Sequence, residues 1–423
     1  MMNKDILKEI VSEQAESFAK DKGAFNGDRV LTRAVAPEFL KTKKISIITG
    51  IRRCGKSTLM KQIADSGGDF YYFNFEDERL LDFKSTDFNS LLEVFLELYG
   101  ERKIVFFDEI QYVTGWEKFV GRLFKEGRKV FLTGSSANLL SRELGTALTG
   151  RHVKTELYPF SFKEWLDYAK ISAKKSVTTA ERAKIKRQFN LYLEFGGFPE
   201  VVISRDKNEL RQLYQDVIIK DLLVRFKIRD TKAFRELVLY LISNVGSPVS
   251  FNNLKKILDF KNVMTIKNYI DFLEEAYLIF SVSRYDYSVK KQIVNDRKIY
   301  GIDMGMIREV AFSFSENSGR ILENVVFLEL KRRGREIYYY RDKGNKHECD
   351  FLIREGREIT AAFQVVDRFD ASNKDREVRG LVSALREHKL TTGIILTGSA
   401  SGEINLDGFK IKIKPAWQWL LED

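Results

Sequence analysis

The feature that most constrains this chain is the stretch Gly50-Ile-Arg-Arg-Cys-Gly-Lys-Ser57, which follows a hydrophobic segment and opens a helical one. It fits the pattern G-x-x-x-x-G-K-[ST] in the strand-to-helix context that the pattern requires. Glycines at these positions let the backbone wrap around phosphates, so that amide N–H groups and the helix N-terminus face the negative charge. The sequence therefore predicts a nucleoside triphosphate site, with ATP and Mg²⁺ as the expected cofactors.

Individual residues of this loop have expected roles. Lys56 is expected to reach the β- and γ-phosphates, and Ser57 to ligate Mg²⁺. For Arg52 and Arg53 two interpretations stay open: they add phosphate contacts, or they occupy the exposed lip of the loop. The residues predicted to bind the nucleotide are Gly50, Ile51, Arg52, Arg53, Cys54, Gly55, Lys56, Ser57, Thr58 and, from a later strand, Asp108.

An acidic pair completes the predicted site. The apolar run 103–107 ends in Asp108 and Glu109, and the carboxyl ends of strands are where α/β sheets bind ligands. We expect Asp108 to hold Mg²⁺ through water and Glu109 to orient and deprotonate the water that attacks the γ-phosphate. Because the pair follows a phosphate loop, the expected activity is hydrolysis rather than binding alone.

A third strand, 129–133, ends close to more polar side chains. Ser135 is predicted to contact the γ-phosphate between the two acidic strands, with Thr133 as the next choice. The alternative is a plain strand-to-helix turn in which Asn138 or Ser136 caps the helix.

Two arginines follow, Arg142 and Arg151. Either one can serve as an arginine finger, a side chain that reaches the nucleotide of a neighbouring subunit, and Arg151 is our catalytic candidate. The alternative is that both are simply solvated. Because a finger requires a neighbour, a homo-oligomer is a candidate assembly, while ring, dimer and monomer all stay open.

Changes of hydrophobic period divide the 423 residues into three blocks. Residues 1–170 alternate β-rich runs with helical stretches, which predicts a parallel α/β sheet preceded by an N-terminal helix. Residues 180–318 are mostly helical, and residues 319–423 follow an α-β-β-β-α-β order. The predicted fold class is therefore α/β with a helical central domain.

Charge and cysteine content narrow the class of protein. The chain carries 71 Lys plus Arg against 60 Asp plus Glu, a net charge of +11, which favours an anionic partner such as nucleic acid. Two distant cysteines, Cys54 and Cys349, exclude a disulfide framework and a structural zinc site.

Because no uncharged run of about 18 apolar residues and no signal-like start occur, we expect a cytoplasmic protein without membrane association.

These motifs together resemble those of AAA-superfamily ATPases. More closely, the chain resembles prokaryotic AAA-type ATPases that carry a C-terminal domain of unknown function, number 4143. The resemblance covers nearly the whole chain and implies a P-loop ATPase, in a family whose biological role is poorly defined. The segments that carry it are residues 50–57, 107–111, 132–136, 157–162, 192–199, 298–303, 322–324 and 348–351.

The central block resembles a winged helix-turn-helix. A short helix within 249–258 precedes a predicted recognition helix, 265–276, that Thr265 caps, and 277–283 and 285–289 are predicted to form a β-wing.

The charge of this block favours DNA. Residues 205–300 hold 18 Lys plus Arg and 12 Asp plus Glu, so this segment supplies +6 of the total charge. The alternative is a protein docking module, because acidic side chains on the second helix would repel DNA; these are Asp271, Glu274 and Glu275. The predicted DNA contacts are Lys261, Lys267, Asn268, Arg284, Lys290 and Lys291.

The C-terminal order of elements resembles the PD-(D/E)XK nuclease fold, in which a helical Glu, a strand Asp and a Glu-x-Lys on the next strand collect Mg²⁺ and activate water. Glu323 and Asp350 occupy the first two roles. However, Gln364 stands in place of the metal-binding carboxylate, and Val366 stands in place of the lysine. We therefore expect a catalytically degenerate fold used for DNA or subunit contact, or a structural role for Glu323 and Asp350 beside basic neighbours.

The sequence as a whole predicts a Mg²⁺-dependent ATPase whose hydrolysis drives DNA binding or remodelling, on branched or recombining DNA by analogy with its fold combination. The first alternative is a signalling or defence switch whose nucleotide state controls protein partners. The second is an ATP-gated, metal-dependent nuclease.

Overall fold

The computed structural model describes residues 2–20, 31–33, 37–137, 148–172, 178–312, 318–344 and 346–422. The chain forms two compact units. The first comprises residues 1–158 with 275–277, and the second comprises residues 159–274 with 278–423. The division into three domains with boundaries near 170–180 and 318–319 stays a prediction.

The first unit is built on a five-stranded sheet in the order β2-β3-β4-β1-β5, and all of its strand pairs are parallel. The predicted parallel α/β sheet is thus confirmed. Its inner strands are apolar and buried, as expected when helices cover both faces of a parallel sheet. The last strand was not predicted, because its side chains are only partly buried. The strands are β1 Ile45–Thr49, β2 Phe70–Asn74, β3 Ile104–Asp108, β4 Lys129–Gly134 and β5 His152–Glu156.

Helices of the first unit pack on this sheet. The N-terminal helix buries Leu7, Ile10 and Val11 fully in the main core, as its apolar spacing predicts. The helices are α1 Lys4–Lys20, α2 Pro37–Lys41, α3 Lys56–Ala64, α4 Phe88–Tyr99 and α5 Trp116–Lys125, with a 3₁₀ turn at Ile110–Tyr112.

The second unit begins with a mainly helical region. Its helices are α6 Phe162–Tyr168, α7 Thr179–Phe195, α8 Pro199–Ser204, α9 Asn208–Asp216, a π-helix Val217–Val224, α10 Thr231–Ser243, α11 Phe251–Ile257, α12 Val263–Glu275, α13 Val289–Val294 and α14 Met304–Val310. Three short strands, β6 Pro248–Val249, β7 Ile279–Ser283 and β8 Arg297–Gly301, form an antiparallel sheet in the order β6-β8-β7.

Two expectations for this region were wrong in detail. Strand β7 pairs with β8, and not with the segment 285–289, because α13 occupies the connection between the two strands. Helix α12 begins two residues before Thr265, so Thr265 lies inside the helix. Asn262 accepts a hydrogen bond from the N–H of Met264 at 2.8 Å instead, since Asn is a preferred residue at this position.

The C-terminal part follows the predicted α-β-β-β-α-β order and forms a six-stranded sheet, β13-β14-β12-β11-β10-β9. Strands β9, β10 and β11 are antiparallel neighbours, and β12 joins β11 in parallel after a helical crossover. Strand β13 was missed because its side chains are mostly exposed. The elements are α15 Ser318–Arg332, β9 Glu336–Arg341, β10 Glu348–Glu355, β11 Glu358–Val366, α16 Lys374–Glu387, β12 Thr392–Thr397, β13 Gly402–Leu406, β14 Phe409–Pro415 and α17 Ala416–Trp419.

Among the residues described above, no helix is long and apolar enough to cross a membrane.

Candidate nucleotide site

The phosphate loop joins β1 to α3, and its backbone needs glycine. Gly50 has φ +154° and Gly55 has φ +98°, conformations that residues with a Cβ rarely adopt. A Cβ on Gly50 would also lie 2.1 Å from the carbonyl oxygen of Leu157. The loop therefore keeps an open cradle at the N-terminus of a nine-residue helix, which is an arrangement that fits phosphate.

Lys56 is the first residue of α3 and is buried, with 4% of its surface exposed. Its Nζ donates to the carbonyl oxygens of Gly50 at 3.2 Å and Ile51 at 3.3 Å, and it lies 3.2 Å from Glu109 Oε1. Burial lowers the pKa of Lys56, but the nearby carboxylates, Glu109 first, outweigh it and hold that pKa above its usual value. The ammonium is thus charged and lies between the loop and the acidic pair.

The acidic pair at the end of β3 is held by Thr133 of β4. The Thr133 hydroxyl donates to the carboxylate of Asp108 and accepts a hydrogen bond from the backbone N–H of Glu109 at 2.9 Å. Burial, reinforced by the charge of Glu109, raises the pKa of Asp108, although hydrogen bonds from Thr133 and Ser57 act in the opposite direction. The structure therefore brings Ser57 and Asp108 together, which are the two residues predicted to hold Mg²⁺.

Glu109 is also buried, and its backbone is left-handed with φ +51°. Burial alone would raise the pKa of Glu109, but the Lys56 ammonium and a hydrogen bond from Gln111 hold that pKa below its usual value. Glu109 is therefore an anion at neutral pH, as a general base must be. A non-glycine residue in this conformation stores backbone strain, which often marks a functional site.

Two other predicted residues, Ser135 and Arg151, differ in how far they are buried. Ser135 is buried after β4, and its Oγ accepts a hydrogen bond from Gln111 Nε2 at 3.2 Å. Arg151 is exposed next to β5, and its backbone carbonyl accepts from the N–H of Ile45 at 2.9 Å. Asn138 and Arg142 lie outside the described residues.

The rest of the loop separates into an outer and an inner part. Arg52 donates to Glu76 at 2.7 Å and to the hydroxyl of Tyr112 at 3.3 Å, whereas Arg53 is exposed with φ +61°. Ile51 and Cys54 are buried, and Thr58 on α3 is half-buried. Burial raises the pKa of the Cys54 thiol, so this side chain is an inert part of the loop.

Sequence reasoning missed two contributors to the site. Gln111 contacts both Glu109 and Ser135, and the only available signal was its position two residues after the acidic pair. Arg33 donates to the backbone carbonyls of Cys54 and Tyr158, each at 3.0 Å, which ties the loop to the end of the first unit. Nothing in the local sequence marks Arg33, because its partners are 21 and 125 positions away.

In the second unit, most of the predicted DNA contacts are exposed. Lys261 lies between α11 and α12, Lys267 and Asn268 lie on α12, and Lys290 and Lys291 lie on α13. Lys267 is half-buried and the other four are exposed.

Arg284 is different from these five residues. Its guanidinium donates to the backbone carbonyls of Arg341 at 2.7 Å and Asp342 at 3.0 Å, so it joins the end of the three-stranded sheet to β9. These hydrogen bonds of Arg284 hold two parts of the second unit together.

The nuclease-like residues of the C-terminal part are brought together around a lysine that the sequence interpretation did not consider. Lys298 of β8 is fully buried, and its Nζ lies 3.0 Å from Glu323, 2.9 Å from Asp350 and 2.8 Å from Glu348. The hydroxyl of Tyr300 donates to Glu323 at 2.6 Å. Burial and the charge of Asp350 raise the pKa of Glu323 to about 7, against the effect of Lys298. The expectation of a basic neighbour for Glu323 and Asp350 thus agrees with the observed contacts.

A cavity of about 410 Å³ opens beside this cluster. Gln364 lines it, and its Nε2 donates to Glu377 at 2.7 Å, while its Oε1 is buried without a hydrogen-bond partner in the described part of the chain. The cavity is also lined by Arg320, Glu323, Glu348 and Asp350.

Family models match three consecutive segments of the chain. An AAA domain matches residues 42–166, a domain of unknown function (DUF8612) matches residues 186–317, and a second (DUF4143) matches residues 318–413.

Solved structures resemble the chain only weakly. RuvB of Thermotoga maritima is 18% identical, with 66% of this chain and 89% of that chain covered, at a TM-score of 0.28.

Two relatives match over nearly their whole length. An uncharacterized protein of Methanocaldococcus jannaschii is 36% identical over 100% of this chain and 96% of its own length. An uncharacterized protein of Haemophilus influenzae is 31% identical over 91% of this chain and 96% of its own length. With the phosphate loop, the acidic strand end and the order of the five parallel strands, these matches place the chain in the family of prokaryotic P-loop proteins that join an AAA domain to a C-terminal DUF4143 domain.

Proposed function

We propose that this protein binds and hydrolyses ATP with Mg²⁺ and that hydrolysis is coupled to DNA binding or remodelling. One observation carries the hydrolysis proposal: a charged lysine at a helix N-terminus lies 3.2 Å from the carboxylate of an adjacent strand end, and a second carboxylate is held beside it. These are the groups that phosphoryl transfer requires in one place.

Different residues of the chain would bind the phosphates and the metal ion. Backbone N–H groups of residues 50–57 face the phosphates, and Lys56 moves from the loop carbonyls to the β- and γ-phosphate oxygens. Ser57 and Asp108 hold Mg²⁺, whose charge would offset the charge of the phosphates.

Glu109 acts as the base. Its carboxylate accepts the proton of the attacking water, and the low pKa given by Lys56 keeps it ionised until then. The hydroxyl of Ser135 donates to a γ-phosphate oxygen. In an oligomer, the exposed Arg151 of a neighbouring copy supplies the arginine finger.

For DNA, we propose a basic surface formed by Lys261, Lys267, Asn268, Lys290 and Lys291. These side chains suit phosphate contact, since lysine is a common partner of phosphate oxygens. Four of the five are exposed. In a winged-helix arrangement, α12 is the element that enters the groove. Arg284 is left out of this surface because two backbone carbonyls already hold it.

The test is steady-state ATP hydrolysis with Mg²⁺, without DNA and with duplex, single-stranded or four-way-junction DNA, at two salt concentrations. Lys56→Ala is the blank, and Glu109→Gln should bind ATP while turnover falls by a factor on the order of 10² or more. Stimulation by one DNA form that weakens with rising salt supports the coupling.

Other outcomes of the same assay contradict parts of the proposal. Normal hydrolysis by Glu109→Gln would overturn the assignment of the base. Hydrolysis that no DNA changes would overturn the DNA role and favour a switch that acts on protein partners.

A metal-dependent nuclease is the second candidate, and one observation favours it. Strand β11 offers no lysine, yet Lys298 of β8 lies within 3.0 Å of both Glu323 and Asp350. The unpartnered amide oxygen of Gln364 beside Asp350 is a donor type that a divalent cation accepts. Cleavage of DNA by wild type with Mg²⁺ or Mn²⁺ that is lost in Asp350→Asn, in a protein that stays folded, would support this candidate. The absence of cleavage would leave the cluster a structural one.

A further inference from the structure

Gln111 lies two residues after Glu109, in the 3₁₀ turn that follows β3. Its Nε2 donates to Glu109 Oε2, while Lys56 lies 3.2 Å from Glu109 Oε1. Both oxygens of this carboxylate are thus engaged, one by the lysine and one by the amide. The orientation of the carboxylate is fixed by these two partners.

The same nitrogen also donates to the hydroxyl oxygen of Ser135 at 3.2 Å. Because that oxygen accepts from Gln111, the proton of the hydroxyl is left to be donated elsewhere. Gln111 therefore links the end of β3 to the end of β4.

The carbonyl oxygen of Gln111 provides an independent observation. An ionised carboxylate can only accept hydrogen bonds, so the amide nitrogen must face Glu109 and the amide oxygen must point away from it. That oxygen is buried and has no partner within the described ranges. Leaving a buried acceptor unpaired is unfavourable, so a hydrogen bond from a bound ligand or water would stabilise this oxygen.

We propose that Gln111 is part of the hydrolytic machinery: its amide nitrogen holds Glu109 and Ser135 in position, and its amide oxygen accepts a hydrogen bond from the attacking water. The water donates one hydrogen to Glu109 and the other to Gln111. As the oxygen of the water bonds to the γ-phosphorus, Glu109 takes up the first proton, and the bond from the γ-phosphorus to the β-phosphate oxygen breaks, which leaves ADP and inorganic phosphate. Because Glu109 and Gln111 accept both hydrogens of the water from one side, a lone pair on the water oxygen points toward the phosphorus. This inference rests on the proposed ATP hydrolysis.

The decisive variant is Gln111→Met, which keeps the length of the side chain and removes both its donor and its acceptor. We expect kcat to fall by about 10- to 100-fold while KM and ATP affinity change by no more than about twofold. Gln212→Met, on the exposed surface of α9, is the matched control.

Coupling to Ser135 supplies a second readout. The combined loss in Gln111→Met/Ser135→Ala should be smaller than the product of the two single losses, since both side chains act in one network. A wild-type kcat in Gln111→Met overturns the inference. A loss confined to KM and ATP affinity also overturns it, as does a fall in thermal stability that accounts for the loss in kcat, because the role is then in binding or in structure. If wild type itself hydrolyses no more ATP than Lys56→Ala, the proposed function has failed, and not this assignment alone.

Discussion

The backbone N–H of Glu109 donates a hydrogen bond to the hydroxyl of Thr133 at 2.9 Å. The same hydroxyl donates to Asp108, so one side chain of β4 holds both acidic residues at the end of β3. The parallel register of these strands places Thr133 beside the acidic pair. The sequence favours Ser135 as the polar residue of this strand end, and the contacts give Thr133 a distinct task, which is to orient the carboxylates.

Thr133→Val should therefore impair hydrolysis without removing the fold. The substitution keeps the shape of the side chain, but it leaves the Glu109 N–H and one oxygen of Asp108 without their partner. We expect kcat to fall by about 10-fold or more and the Mg²⁺ concentration for half-maximal activity to rise. Thr133→Ser keeps the hydroxyl and should retain both values. Equal Mg²⁺ dependence in Thr133→Val and wild type would show that this hydroxyl does not orient Asp108.

Gly50→Ala should abolish nucleotide binding. The new methyl group would lie 2.1 Å from the carbonyl oxygen of Leu157, in a backbone conformation with φ +154°, so the loop must shift. We expect the affinity for a fluorescent ATP analogue to fall by at least about 10-fold, because backbone N–H groups lose their alignment on the phosphates. Gly67→Ala is the control, since its Cβ meets no atom within 4 Å. Unchanged affinity in Gly50→Ala would mean that the loop does not need this conformation.

Lys298→Met should destabilise the second unit strongly. The ammonium lies within 3.0 Å of three carboxylates, and its removal leaves two of them, Glu323 and Asp350, buried and close together without this counter-charge. We expect a loss of about 3–5 kcal/mol in the free energy of unfolding, measured by urea titration. Adding Asp350→Asn should recover part of the loss, because one of the unpaired charges is then removed. Lys290→Met, at an exposed lysine of α13, should change stability little, and an equally small effect of Lys298→Met would contradict the buried-cluster interpretation.

The parts of the fold that the sequence predicted share one property, which is that their signal is local. The strand before the phosphate loop, the strand that ends in Asp108 and the order of elements after residue 318 all appear as short apolar runs between turns. The edge strands β5 and β13 lack that signal because their side chains are mostly not buried.

The parts of the sites that the sequence did not predict depend on contacts between distant residues. Lys298 approaches Asp350 from 52 positions away, so a search for a lysine on β11 itself could not find it. The wing was misassigned for a related reason. Segment 285–289 has a suitable alternation, but β7 pairs along its whole length with β8, and the choice of a pairing partner is not encoded in either strand alone.

Asp303 should make the stability of the second unit depend on pH. Its carboxylate is 1% exposed and accepts hydrogen bonds from the N–H groups of Gly197 at 2.6 Å and Met306 at 2.9 Å. Burial nevertheless raises the pKa of Asp303 from 3.8 to about 6. The folded protein then binds this proton more tightly than the unfolded chain does. Its contribution to stability is therefore present below about pH 4 and is lost as the pH rises through about 6.

Asp303→Asn removes this titration, so the comparison of the two proteins isolates it. The unfolding free energy of wild type minus that of Asp303→Asn should fall by up to about 3 kcal/mol between about pH 4 and about pH 7. Asp82→Asn, at an exposed aspartate of the first unit, supplies the control. A difference that stays constant over this range would mean that the Gly197 and Met306 hydrogen bonds keep the carboxylate ionised in spite of its burial. In that case Asp303 would stabilise the turn at residues 196–197 as an anion at every pH tested.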